Sequence, residues 1–154
     1  MTRRTSHVLV PCRSSSTEVV RRLLARDLAG WDVDEAVADG LLLAASEAVL
    51  NAAAVHDAQA LQQCMLIVTW TVGETQTAAG AGRVVESAGG HRLSFRFSVQ
   101  ERGTPETASR ARSMRAHPAL GSARGRCVMD ALMDRVVVHD GYLGTNILLE
   151  KALA

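Results

Sequence analysis

Glu47 and Asn51 stand four residues apart in the most helix-like stretch of the chain, Leu41-Leu42-Leu43-Ala44-Ala45-Ser46-Glu47-Ala48-Val49-Leu50-Asn51-Ala52. Four residues is about one helical turn, so the carboxylate and the carboxamide leave the helix on one face. That face is otherwise apolar and predicts packing, where polar groups cost free energy unless something satisfies them. A magnesium ion with its water shell would do so, as would a proton to be abstracted. A plain surface pair on a helix edge accounts for the two residues equally well on their own.

Three other places carry groups suited to chemistry. Glu101-Arg102-Gly103 closes an alternating segment, where an acid meets a ligand's hydrogen-bond donor and a glycine admits close backbone approach. Gly121 to Gly125 precedes a helical pattern, and small residues before a helix N-terminus expose N–H groups and a dipole that favour phosphate. No Lys-Ser/Thr pair follows, so it is not a P-loop. Gly144-Thr145 opens the last strand-like run and can add a bare backbone and a hydroxyl to the same site. Each of the three taken singly also reads as an ordinary turn or loop.

The elements that must position these groups follow from periodicity. Ser6 to Val10 predicts a short first strand ending at Pro11. Ser14 to Thr17 is a helix-start cluster, and Val19, Val20, Leu23, Leu24 and Leu28 recur at helical spacing up to Gly30. Asp32 with Glu35 suits a capping box for a second helix running through Asn51 to about Val55. Cys64 to Val72 reads as a strand, and Glu74 to Gly90 as a long hairpin connection that pairs around Val84 and Val85. Leu93, Phe95, Phe97 and Val99 alternate with Ser94, Arg96 and Ser98, a strand with one buried face. Arg102 to Arg126 has no clear period and reads as a functional loop carrying Arg110, Arg112, Arg115 and Arg124. Cys127 to Met133 is helical, and Val136 to Val138 and Ile147 to Leu149 are two last strands around a turn at Asp140 and Gly141. This order predicts an α+β fold of one domain, residues 1–154, a two-layer α/β sandwich with helices on one face of a mixed sheet.

Composition narrows the function classes. With 154 residues, 47% apolar and 21% charged, the chain suits a single soluble domain with a proper core. A net charge of +1 gives no overall pull toward nucleic acid or a membrane surface, so any basic site is local. The arginine-bearing loop reads as a solvated loop, a phosphate contact, or a nucleic-acid contact that few aromatics accompany. No run reads as a bilayer span or signal peptide, which predicts a cytoplasmic protein. Cys12, Cys64 and Cys127 are odd in number and widely spaced, and they predict three small buried hydrophobes rather than a disulfide or a zinc site.

Taken in this order, the Glu-x-x-x-Asn-Ala box of Leu43 to Ala52, Glu101 to Gly103, Arg124-Gly125 leading into Cys127-Val128-Met129-Asp130-Ala131-Leu132-Met133-Asp134, and Gly144-Thr145 with Leu148 to Leu153 resemble a known family. They look like the ATP-binding domain shared by gyrase, Hsp90, histidine kinases and MutL. The likeness is greatest to the anti-sigma-factor serine kinases of bacterial stress and sporulation control. The resemblance implies that Glu47 is a general base, that Asn51 coordinates Mg²⁺, and that Glu101 meets the adenine of ATP with Gly103 beneath the base. It implies further that Thr104 to Arg124 form a lid, and that Arg124, Gly125, Gly144 and Thr145 line the phosphates. Its implied partners are a sigma factor and an anti-sigma-factor antagonist, which it phosphorylates on serine, and its implied state is a homodimer. The chain departs from the family pattern in having Glu101 for an aspartate, His56 one place late for a basic residue after the asparagine, and Ser122-Ala123-Arg124 for a glycine-rich run. These departures keep open a second reading, a nucleotide-free interaction module on the same fold. A stand-alone ATPase module serving a sensor kinase is a third.

Overall fold

Alternation decides which side of each strand is buried. A computed structural model describes residues 3–59, 64–75, 92–103, 123–141 and 144–153. Its elements are β1 (Arg3–Pro11), α1 (Ser16–Leu28), α2 (Glu35–Gln59), β2 (Met65–Thr75), β3 (Arg92–Arg102), α3 (Ala123–Leu132), β4 (Arg135–Gly141) and β5 (Gly144–Leu153). Leu66, Val68, Trp70 and Val72 of β2, Phe95, Phe97 and Val99 of β3, and Ile147 and Leu149 of β5 point one way and are buried. Register keeps them in rows across the sheet: Trp70 lies opposite Phe97, and Phe97 opposite Leu149. The rings stack, with Trp70 and Phe97 centroids 6.4 Å apart and Phe95 and Phe97 6.2 Å apart.

The strands form one five-stranded sheet in the order β1-β2-β3-β5-β4. Among the described residues every pairing is antiparallel, where the sequence suggested a mixed sheet. The element order reads the same either way; only the relative direction of the paired strands distinguishes the two. The expected pairing around Val84 and Val85 and the loop of Thr104 to Ser122 lie outside the described residues.

The helices cover the apolar face of the sheet. At about 1.5 Å per residue, α2 is about 37 Å long and supplies Leu41, Ala44, Ala45, Ala48, Val49, Ala52 and Ala53 to the core. Alanine at so many of these positions lets the helix lie close to the sheet and to its neighbours. By length and composition alone Glu35–Ala54 is apolar enough to cross a bilayer, contrary to the sequence reading. Its apolar stripe is instead spent on the core. The helix cap also differs from expectation: Asp34, not Asp32, accepts the N–H groups of Ala36 at 2.9 Å and Val37 at 3.3 Å through Oδ1.

One buried carboxylate ties α1 to the sheet. Asp27 Oδ2 accepts the hydroxyl of Ser6 at 2.6 Å and the indole N–H of Trp70 at 2.9 Å. The guanidinium groups of Arg4 and Arg26 approach its other oxygen at 3.4 and 3.7 Å. Burial pushes this carboxyl's pKa up, but the hydrogen bonds from Ser6 and Trp70 and the charges of Arg4 and Arg26 together hold it below the ordinary aspartate range.

Candidate functional site

The buried stripe of α2 has an edge, and Glu47 and Asn51 stand on it. Both are half-buried, while Ala44, Ala48 and Ala52 beside them are fully buried. The sequence placed this pair on the packed face; the structure sets it at the rim, where solvent still reaches. Among the described residues neither side chain has a hydrogen-bond or ion-pair partner. A carboxylate and a carboxamide oxygen one turn apart are hard donors of the kind Mg²⁺ takes. No group of three or more His, Cys, Asp and Glu among the described residues is placed to hold a metal ion. The donor set therefore suits an ion that brings most of its own ligands, as water and phosphate oxygens.

Three of the predicted residues meet at the end of β3. Glu101 is buried, at 2% exposure. Its Oε2 accepts the backbone N–H of Thr145 at 2.9 Å, across 44 residues of sequence. Gly144 has φ 127, and a Cβ built there would stand 2.9 Å from Glu101 Cδ. Here the glycine is needed twice over, for its backbone angle and for its missing side chain. Thr145 is buried beside it, and Gly103 follows β3 half-exposed. Strand order makes this possible, because β5 lies directly against β3.

The phosphate-loop candidates fall differently from expectation. The sequence put Arg124 and Gly125 ahead of the helix, but α3 starts at Ala123, so both lie within its first turn. Arg124 is exposed and Gly125 buried. Arg126 is turned along the helix to Asp130, with Nε 3.0 Å from Oδ2. α3 packs against α2, and a Cβ at Gly40 of α2 would lie 3.5 Å from Leu132 at the end of α3.

Sequence reasoning missed the cysteines. Cys12 and Cys64 are joined in a disulfide with Cα atoms 5.4 Å apart, and Cys127 is exposed rather than buried. Cys64 Sγ also lies 3.8 Å from Glu101 Oε1. No spacing signal marks the pair, since 52 residues separate the two cysteines. Their meeting follows from β1 and β2 pairing up to Pro11 and Met65, with Cys12 N–H donating to the Cys64 carbonyl at 3.1 Å.

The helix-free face of the sheet is polar. A groove of about 410 Å³ there is lined by Arg3, Thr71, Arg96, Arg135 and Glu150 among others. It lies on the other side of the sheet from α2 and the predicted site. Glu150 binds Arg96 and Arg135 within this groove. The groove's charges therefore largely satisfy one another.

Helices layered on one face of a five-stranded antiparallel sheet are consistent with an ATPase domain of the histidine-kinase type. The family model described as histidine kinase-like ATPase domain matches residues 10–151, and the chain belongs to that family. Among solved structures the fold is similar to the RsbU and RsbW domains of Rv1364c from Mycobacterium tuberculosis. That likeness has a TM-score of 0.60 at 18% identity, covering 97% of this chain and 32% of that one. At such identity it is a likeness of fold. No curated protein matches the chain in sequence.

Proposed function

We propose that the chain is a cytoplasmic anti-sigma regulatory factor of the serine-kinase type, which binds a sigma factor and an anti-sigma-factor antagonist and phosphorylates the antagonist on serine with ATP. The observation that carries this is the state of Glu47 and Asn51, half-exposed oxygen donors one turn apart with no side-chain partner among the described residues. Membership of the ATPase family and the fold shared with a chain containing an RsbW domain support it. In this reading Glu47 takes the proton of the attacking serine hydroxyl, which needs a carboxylate reached by substrate and not spent on an internal ion pair. Asn51 holds Mg²⁺, which supplies charge neutralisation for the phosphates when bound. Glu101 and Gly103 form the adenine end. Gly144 and Thr145, expected on the phosphates, lie against Glu101 and in this reading join that end, while Arg124 and Gly125 at the start of α3 face the phosphates. The protein acts as a homodimer. Calorimetric titration with ATP and Mg²⁺ tests the reading: saturable binding that disappears in Asn51→Ala is expected. No heat at millimolar nucleotide would remove the kinase activity from the proposal.

A second reading rests on Glu101. Its carboxylate is buried, bonded to Thr145 N–H and packed against Gly144, so it already serves a structural purpose. A nucleotide-free module that binds its partners by the same fold is consistent with that. The same titration separates the two readings.

A further inference from the structure

The disulfide ends at the one carboxylate that the nucleotide reading assigns to adenine. Cys12 follows β1, an edge strand, and Cys64 precedes β2. Both sulfurs are buried, at 3% and 2% residue exposure. Leu66, two residues after Cys64, lies opposite Glu101 in the β2–β3 register. That register brings Cys64 Sγ to 3.8 Å from Glu101 Oε1 while Thr145 N–H holds Oε2 at 2.9 Å. The two sides of one buried carboxylate thus face a backbone donor and a redox-active sulfur.

What Cys64 offers Glu101 depends on its oxidation state. As a thiol it has one hydrogen to donate, with Glu101 Oε1 and the Met65 carbonyl both 3.8 Å from Sγ as acceptors, and the charged carboxylate oxygen is the stronger of the two. In the disulfide the sulfur carries no hydrogen and turns only lone pairs toward the carboxylate. We propose that Cys12 and Cys64 form a redox switch on the adenine end of the site, with Cys64 a positioning residue for Glu101 and the reduced pair the nucleotide-competent state. This rests on the nucleotide reading given above. With hydrogen peroxide as oxidant, the two S–H bonds break and one S–S bond forms. The two protons and two electrons pass to the peroxide, whose O–O bond breaks to give two waters. Cα atoms 5.4 Å apart lie within the range that a disulfide spans, so the backbone accommodates both states. Cys12 lies just past β1, an edge strand, so local opening there would be the route by which an oxidant reaches the pair.

The test uses the full chain carrying Cys127→Ser, which removes the exposed thiol. Protein oxidised with peroxide and protein reduced with dithiothreitol are compared by the amide resonance of Thr145 and by calorimetric titration with ATP and Mg²⁺. The expected result is a shifted Thr145 amide and a dissociation constant about ten-fold weaker in the oxidised form, the scale of one hydrogen bond to a charged group. Adding Cys12→Ala leaves Cys64 as a thiol, and this variant should keep the reduced affinity and Thr145 shift after peroxide. A Thr145 amide that does not move between states overturns the switch, as does measurable binding of equal affinity in both. A Thr145 amide that moves while neither state binds nucleotide upholds the coupling of Cys64 to Glu101 and removes the nucleotide reading instead.

Discussion

The backbone N–H of Thr145 donates to the carboxylate of Glu101 at 2.9 Å, joining the end of β3 to the start of β5. Both residues are buried, so this bond fixes where the two strand ends lie relative to each other. Any ligand read by Glu101 meets a carboxylate whose plane the protein has already set.

Gly144→Ala should be costly for two reasons that act together. The new Cβ would stand 2.9 Å from Glu101 Cδ, and the φ of 127 disfavours any residue with a side chain. A loss of about 2–4 kcal/mol is expected in urea unfolding, the scale of overpacking joined to backbone strain. Truncating the acid as well, in Gly144→Ala with Glu101→Ala, relieves the collision but removes the Glu101 acceptor of the Thr145 N–H. The double variant should therefore recover only part of the loss.

Asp27 makes stability depend on acid pH. Its folded carboxyl titrates below the ordinary aspartate value of 3.8, so the unfolded chain takes up the proton first as pH falls. The stability it supplies is complete above that value and is lost as pH drops through the lower folded value. Urea midpoints measured from about pH 6 down to about pH 2 should fall in the wild type. In Asp27→Asn the fall should be shallower. At neutral pH Asp27→Ala should cost about 2–3 kcal/mol, because the Trp70 indole N–H loses its buried acceptor. Trp70 fluorescence provides the readout.

Glu47 and Asn51 should separate function from stability. Both are half-exposed and unpaired among the described residues, so Glu47→Gln and Asn51→Ala should change unfolding free energy by no more than about 0.5 kcal/mol. Glu47→Gln should lower phosphoryl transfer to the antagonist by about 10²-fold or more while leaving nucleotide affinity within about two-fold. Asn51→Ala should abolish the magnesium dependence of nucleotide binding. A large loss of stability in either variant would mark the pair as structural.

Asp34→Ala should cost about 1 kcal/mol, because two N–H groups in the first turn of α2 lose their acceptor. Asp32→Ala should cost far less. Urea unfolding of the two variants side by side checks the cap assignment.

What could be read from the sequence was local. The apolar run around Leu41 to Ala53 gave α2, and the alternation of Leu93 to Val99 gave β3, since both periods are written in neighbouring residues. Glu47 and Asn51 were visible because a helix carries i and i+4 on one face. The contact of Glu101 with Thr145 was not, because it depends on β5 entering between β3 and β4. Strand order is a property of the whole sheet and leaves no mark in any one window. The Cys12–Cys64 pair was hidden for the same reason, and spacing alone argued against it. The start of α3 and the Asp34 cap were off by a few residues, where short polar side chains compete for the same backbone groups.

The place of β5 has a consequence for how the protein is made. It is the last of the five strands to leave the ribosome, yet it is bonded on both sides, to β3 and to β4. Until residues 144–153 emerge, the apolar row of Phe95, Phe97 and Val99 ends at an open strand edge. During that interval Glu101 has no Thr145 to bind. The nascent chain thus carries an open apolar edge at the point where its candidate ligand site will form, and both are closed by the insertion of β5.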